Sequence, residues 1–226
     1  MKADTVFSLL VQGAALCLPW GLRRRILNGV LGYSIDRKAR IGFSLVLAKH
    51  VSLSEGASIG HLNAIYNLSV LKMGRHARIS NQNRISGVRE DTPYFRHETG
   101  RISALEIGDH AAITNKHRID CTNTVRIGAF TTVAGFGSYI LTHSIDLKLN
   151  RQSSAPVEIG PYCFIGTCAV LLKGSSLGGY SVLGAGSVLR TSSSEEYCLM
   201  SGVPAEKVKN LDKDMAYFSR TEGHVW

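Results

Sequence analysis

From Val157 to Leu189 the chain repeats itself every six residues. Large aliphatic side chains stand at Ile159, Ile165, Leu171, Leu177, Leu183 and Leu189, and Gly follows at 160, 166, 178 and 184. A small residue comes four places after the aliphatic one, at Cys163, Ala169, Ser175, Ser181 and Ser187. A period of six fits neither a helix nor a single strand. It fits a coil with three flat faces, each face a short strand and each corner a tight turn that Gly eases through its tolerance of unusual dihedrals. The aliphatic residue points inward and stacks on its equivalent one coil on, which is the hexapeptide signature of a parallel β-helix.

The same rhythm starts at Ile35 and passes through Ile41, Leu47, Leu53, Ile59 and Ile65, then slips by two residues to Met73. Four tripeptides mark such slips: Leu71-Lys72-Met73, Leu105-Glu106-Ile107, Val125-Arg126-Ile127 and Val157-Glu158-Ile159. Their last residues lie 34, 20 and 32 positions apart. An interval of 20 reads as one coil of three hexapeptides with two more corner residues, so the longer intervals carry excursions of 14 and 12 residues. The first falls near residues 87–100, a charged stretch with Pro93, and the second near residues 144–156. Long loops in a compact domain tend to carry function. The β-helix of residues 35–190 then has about seven coils, and at about 4.8 Å per coil it stands about 34 Å tall.

The two ends differ from this repeat. In residues 1–34, Phe7, Leu10, Val11, Ala14 and Leu18 keep helical spacing, and Arg23, Arg24 and Arg25 follow Pro19-Trp20. The apolar run is too short and interrupted for a membrane span, and Pro19-Trp20 makes a poor signal-peptide cleavage site. Two readings stand: a helix that caps the open end of the coil stack, and an interfacial helix with its arginines at lipid headgroups, making peripheral contact with the membrane. Residues 191–226 contain the turn Ser201-Gly202-Val203-Pro204-Ala205, and Glu206 to Phe218 has a helix-compatible composition. This tail is expected to cover the last coil, whose sheet edge would otherwise stay open.

The five Cys form no CxxC pair, as expected in a reducing, cytoplasmic setting. The net charge of +9 fits either a solvated basic surface or a polyanionic partner such as a CoA nucleotide, an anionic membrane face or a nucleotide sugar. No aromatic-interleaved basic stretch occurs, so nucleic acid is not an expected partner. His110, His117 and His143 invite a metal reading, but no carboxylate-rich shell accompanies them and no metal is expected.

Several blocks in order carry a resemblance: Leu141-Thr142-His143-Ser144 before the second excursion, Ile165-Gly166-Thr167, Leu183-Gly184-Ala185-Gly186-Ser187-Val188 and the closing Ser-Gly-Val-Pro-Ala. With the hexapeptide coils, they resemble the hexapeptide-repeat acyltransferases over roughly residues 35–210, and most of all the maltose/galactoside O-acetyltransferase branch and its relatives in polysaccharide biosynthesis. The resemblance implies an all-β, left-handed parallel β-helix, against the usual right-handed rule for parallel crossovers. It further implies a homotrimer with active sites in the clefts between subunits, and acetyl-CoA as acyl donor.

Acetyl transfer to a hydroxyl needs a base, and a His titrating near neutrality suits that task. His143, where a coil ends and an excursion begins, matches the family's catalytic His. Asp146 is the nearest carboxylate in sequence and the expected partner that orients it; a backbone carbonyl would also serve. Gly135 and Gly137 would let the backbone approach a cleft closely. Thr167, Gly184 and Ala185 match positions that line the pantetheine groove. Arg190, Lys207 and Lys209 are basic candidates for the nucleotide phosphates. On the acceptor side, the family's Asn falls at Lys116, with Asn115 beside it. His117 occupies a small-residue position, as an acceptor ligand in the cleft or as a tolerated corner residue. The expected activity is O-acetylation of a sugar hydroxyl in exopolysaccharide, capsule or lipopolysaccharide biosynthesis, with acetyl-CoA and a saccharide as partners. N-acylation of an amino sugar and a non-catalytic trimeric scaffold that binds saccharide or membrane are the alternatives.

Overall fold

The computed structural model describes residues 3–225, so the first two residues of the 1–34 segment lie outside the described residues. From Ser34 onward the chain winds as a parallel β-helix with three faces. Along the first face, Ile35, Leu53, Met73, Ile107, Ile127, Ile159 and Leu177 stand in register on successive strands. The second face stacks Ile41, Ile59, Ile79, Ile113, Val133, Ile165, Leu183 and Met200. The third stacks Val46, Ile65, Ile85, Ile119, Ile140, Leu171 and Leu189. These columns are buried and form one continuous core. Each face therefore has seven core strands, with Met200 beginning an eighth layer on the second.

One inward residue differs from the six-residue count. Val46, not Leu47, meets Ile65, and a register shift follows at Leu47/Ala48. The first corner after Ile41 is short because Ser44 N–H closes it onto Gly42 O at 2.8 Å. The corner glycines also work differently from expectation. At the edge between the first and second faces, the residue in the left-handed region is His76, His110, Phe130, Tyr162, Tyr180 or Tyr197, with φ from 52° to 59°. Their rings stack in sequence with centroids 4.6 to 5.2 Å apart, and this stacking offsets the backbone cost. Gly108, Gly128 and Gly160 serve close approach instead: a Cβ on any of them would lie 2.4 or 2.5 Å from the backbone of the next coil.

Two helices, α1 (Ala3–Ala15) and α2 (Trp20–Leu31), close the first coil. An exposed coil edge offers unpaired peptide groups, and side chains here take the part of a missing strand. The Gln12 amide accepts from Val46 N at 3.0 Å and donates to Val46 O at 2.6 Å, and Asn28 does the same for Ile35 at 3.1 Å each way. Arg23 donates to Ile41 O and Gly42 O, Arg24 to Ile35 O, and Trp20 to Ala39 O. So two of the three arginines bind carbonyls of the coil they cap. No helix among the described residues is long and apolar enough to cross a membrane.

In the tail, the segment Glu206 to Phe218 starts as a strand and not as the helix its composition suits. Cys198–Gly202 continues the second face and pairs antiparallel with Ala205–Asn210. At this end a strand supplies the backbone partners that an open coil edge demands; a helix of four residues, Ala216–Ser219, follows. This helix packs against the aromatic edge, with Phe218 edge-on to Tyr180 and Tyr197.

Both long intervals leave the stack at the edge between the third and first faces. Residues 87–103 depart after the strand Arg84–Ser86 and include a 3₁₀ turn at Pro93–Phe95. The second excursion is a β-hairpin in which His143–Asp146 pairs antiparallel with Arg151–Ser154.

Candidate active site

His143 opens this hairpin, three residues after the inward Ile140. Beside Ile140 in the coil below stands Ile119, and the next residue, Asp120, has an outward-facing carboxylate at the same edge. His143 Nδ1 and Asp120 Oδ2 lie 2.6 Å apart. The His143 side chain keeps 35% of its surface exposed and Asp120 only 14%, so the ring reaches solvent while its partner is held in the fold. Asp120 also accepts hydrogen bonds from Thr142 N at 2.9 Å, Thr142 Oγ1 at 2.9 Å, Thr122 N at 3.1 Å and Thr122 Oγ1 at 2.6 Å. An acceptor with so many donors is an ionised carboxylate, so Nδ1 carries the proton and Nε2 is left as the basic atom.

The electrostatics agree. Burial by itself pushes the Asp120 carboxyl upward, but hydrogen bonds from His143 and Thr122, the His143 charge and the Thr142 N–H hold it below the usual range. The hydrogen bond to Asp120 raises His143 above the ordinary imidazole value; burial opposes this, the Asp120 charge adds to it, and Arg101 and Lys173 act against it. A neighbour of opposite charge favours the protonated ring, so the arrangement stabilises an imidazolium as it forms.

Asp146 does not orient His143. Its carboxylate accepts Lys148 N at 3.0 Å and Leu149 N at 3.1 Å and so builds the hairpin turn. In an antiparallel hairpin the residue three places on from His143 is carried away along the strand, whereas the coil register brings Asp120 alongside. The signal in the sequence was positional: Asp120 follows an inward Ile119 in the coil directly beneath His143.

The two excursions meet around this pair. Phe95 is buried and sits edge-on to the His143 ring, 6.0 Å between centroids at 88°. The Arg101 guanidinium lies 4.4 Å from the Phe95 centroid and donates to Val88 O, Arg89 O and Thr122 O. Glu98 accepts Ser154 N at 2.7 Å, and Asn123 Nδ2 donates to Ser154 Oγ at 2.9 Å. A hollow of about 480 Å³ lined by Glu98, Arg101, Asn123, Thr124, Ser154 and Pro156 lies beside them. Phe95, Arg101 and Asp120 were not among the residues expected from sequence, because each belongs to a segment distant in the chain.

Thr167, Gly184, Ala185 and Asn115 lie on a different edge, between the second and third faces. Thr167 Oγ1 accepts Phe136 N at 3.2 Å and donates to Phe136 O at 2.9 Å. Gly184 and Ala185 form the same corner one coil later, where a Cβ on Gly166 would come within 2.5 Å of Ala185 N. Gly135 and Gly137, at φ 69° and 73°, make this corner in the preceding coil. Asn115 is exposed there too, but its Oδ1 takes Asn81 N at 3.0 Å and so caps the neighbouring turn. Arg190 is exposed at the end of the third face. Lys207 pairs with Glu195 at 2.6 Å. Within one chain, then, His143 and the Thr167–Gly184–Ala185 corner stand on opposite sides of the third face.

His117 faces no cleft. It is 1% exposed and continues an internal ladder of polar side chains. Asn63 Oδ1 accepts Asn83 N, Asn83 Oδ1 accepts His117 N at 2.9 Å, and His117 Nδ1 accepts Ser138 N at 3.2 Å. Nε2 lies 2.9 Å from Thr114 Oγ1. The ring must stay neutral to accept from Ser138, and burial pushes it down to about 4. Because the unfolded chain binds this proton more tightly, stability is lost as pH falls from about 6.5 towards 4, by on the order of 3 kcal/mol. His117→Asn, which keeps an acceptor in the ladder, is expected to flatten Tm over this window; an unchanged slope would show that other groups set it.

No family model matches the chain, and no curated protein matches it. Solved structures share its fold. A hexapeptide-repeat-containing acetyltransferase of Vibrio cholerae is 16% identical, covers 93% of this chain and 92% of its own, and has a TM-score of 0.51. The same protein complexed with acetyl coenzyme A gives 17%, 93%, 88% and 0.51. An N-acyltransferase of Bacillus cereus, crystallised with dTDP-4-amino-4,6-dideoxyglucose and coenzyme A, is 17% identical over 75% of this chain and 86% of its own, with a TM-score of 0.50. The chain thus has the hexapeptide-repeat acyltransferase fold.

Proposed function

We propose that this chain is an acetyl-CoA-dependent O-acetyltransferase that modifies a sugar hydroxyl in the assembly of a surface polysaccharide. The observation that carries the reading is the 2.6 Å contact between His143 and Asp120 at a solvent-facing edge enclosed by two excursions. Nε2 takes the proton of the attacking hydroxyl while Asp120 holds Nδ1–H and stabilises the imidazolium. The same Nε2–H then returns the proton to the thiolate that leaves the tetrahedral intermediate. Phe95 walls the ring and limits water around it.

The donor's thin pantetheine arm suits the close-packed corner of Thr167, Gly184 and Ala185, with Arg190, Lys207 and Lys209 as basic groups for its phosphates. No resident metal takes part in the reading. Because that corner and His143 stand on different edges, a site containing both needs two chains, which supports a homotrimer. Exposed Phe7, Leu10 and Leu22 on the capping helices fit peripheral contact with the inner face of the cytoplasmic membrane.

The test is turnover of acetyl-CoA with paired acceptors that differ only in a hydroxyl or an amino group, beside thermal shift with coenzyme A. Acetylation of the hydroxy form is expected. Turnover confined to the amino form would make the protein an N-acyltransferase, and no response to coenzyme A would leave a non-catalytic scaffold.

A further inference from the structure

Outward charges are arranged differently on the first and third faces. On the first, register partners alternate in sign: Lys72, Glu106, Arg126 and Glu158 stand on successive strands. Arg126 reaches Glu106 at 3.2 Å and Glu158 at 2.6 Å. On the third face Arg84 stands directly beside Arg118, and both are exposed. Neighbouring strands lie about 4.8 Å apart, and like charges placed directly opposite destabilise a sheet. No carboxylate forms an ion pair with either arginine among the described residues.

Aromatic rings hold the two guanidiniums in place. Arg84 Nε donates to the Tyr66 hydroxyl at 2.8 Å, and its guanidinium lies 5.6 Å from that ring's centroid. Arg118 lies 6.0 Å from the Tyr139 centroid. Arg118 also precedes Asp120 by two residues on one strand, Arg118–Asp120, so both face outward on the same side, roughly 7 Å apart along it. The like-charged pair therefore adjoins the His143–Asp120 pair.

We propose that Arg84 and Arg118 form an anion subsite that binds the diphosphate of the acceptor, which makes the acceptor a phosphate-activated sugar. Two guanidiniums on neighbouring strands present two charges and several N–H donors, which match a diphosphate better than a single carboxylate. The repulsion between them is relieved when such a group bridges them. The donor's phosphates are a poorer fit: its expected corner lies in the sixth and seventh coils, whereas Arg84 and Arg118 stand in the third and fourth, two coils or more away along the stack. Giving this anion to the acceptor rests on the acetyl-transfer reading; the anion site itself does not.

The test is isothermal titration of the full chain and of Arg84→Gln/Arg118→Gln with inorganic pyrophosphate, dTDP, N-acetylneuraminic acid, maltose and coenzyme A. Pyrophosphate and dTDP are expected to bind the native chain and to bind the double variant about 10–100-fold more weakly. Coenzyme A should bind both alike. Pyrophosphate should raise the Tm of the native chain only, and the double variant should melt no lower than the native chain without anion. Equal binding of pyrophosphate and dTDP by both proteins, or no binding by either, would overturn the site. Binding of N-acetylneuraminic acid in their place would overturn the diphosphate assignment. A change of assembly size in the double variant by sedimentation would make these arginines a contact between chains and overturn it as well. Intact pyrophosphate binding without acetyl-CoA turnover would keep the site and remove the acceptor.

Discussion

Replacing His143 by Ala is expected to lower kcat for the proposed acetyl transfer by about 10²–10⁴-fold. The ring stands at an excursion, half-exposed and outside the inward columns, so its loss opens no cavity in the coil core. The fold and coenzyme A affinity should therefore persist, and KM for acetyl-CoA should change little. The loss belongs to kcat because proton removal from the hydroxyl develops only as the carbonyl is attacked. Steady-state kinetics beside thermal shift with coenzyme A separates this outcome from unfolding. Unchanged turnover would remove His143 from the chemistry.

Asp120→Asn is expected to cost a similar factor, about 10²–10⁴ in kcat, for a different reason. Oδ2 accepts from His143 Nδ1 and from Thr142 N. An amide nitrogen in that place would donate to Nδ1, move the ring proton to Nε2 and leave no base facing the acceptor. Stability should fall too, by about 1–3 kcal/mol, since backbone and hydroxyl donors would meet an NH₂ group. The native carboxylate is held below its usual value, so its contribution is present above about pH 3.9 and is lost as pH falls through the folded value. The His143 contribution has the opposite sense. With its folded value raised, it is fully present below about pH 6.5 and is lost as pH rises through the folded value. The measurement is chemical denaturation across pH for both proteins, read with the kinetics. A variant with native kcat would show that the carboxylate only packs the edge.

The repeat made the architecture legible because the core of a β-helix is periodic by construction. Met73, Ile107, Ile127 and Ile159 could be placed on one column from their spacing, and the surplus in two intervals located both excursions. What spacing hides is whatever depends on contacts between coils. Asp120 and His143 are 23 residues apart, and Phe95 reaches the ring from the other excursion. Proximity in sequence favoured Asp146, but an antiparallel hairpin carries that carboxylate away. His117 looked like a cleft residue because a large polar group rarely fills a small-residue position; the Asn63–Asn83 ladder beneath it turns that position into a hydrogen-bonded interior. The tail's composition suited a helix, yet the unpaired edge of the last coil imposed a strand on Ala205–Asn210. A corner glycine suggests an unusual dihedral, whereas several here give room for the next coil's backbone and leave the left-handed positions to stacked aromatic residues.

The pairing of Asp120 with His143 is tested most directly by the pH dependence of kcat/KM in the native chain, Asp120→Asn and Asp146→Asn, measured side by side. A base must be neutral to act, so activity falls on the acid side of the His143 titration, whose midpoint Asp120 raises. The expected result is an acid limb shifted to lower pH and a reduced plateau in Asp120→Asn, with Asp146→Asn close to native. A limb that stays fixed in Asp120→Asn and moves in Asp146→Asn would contradict it.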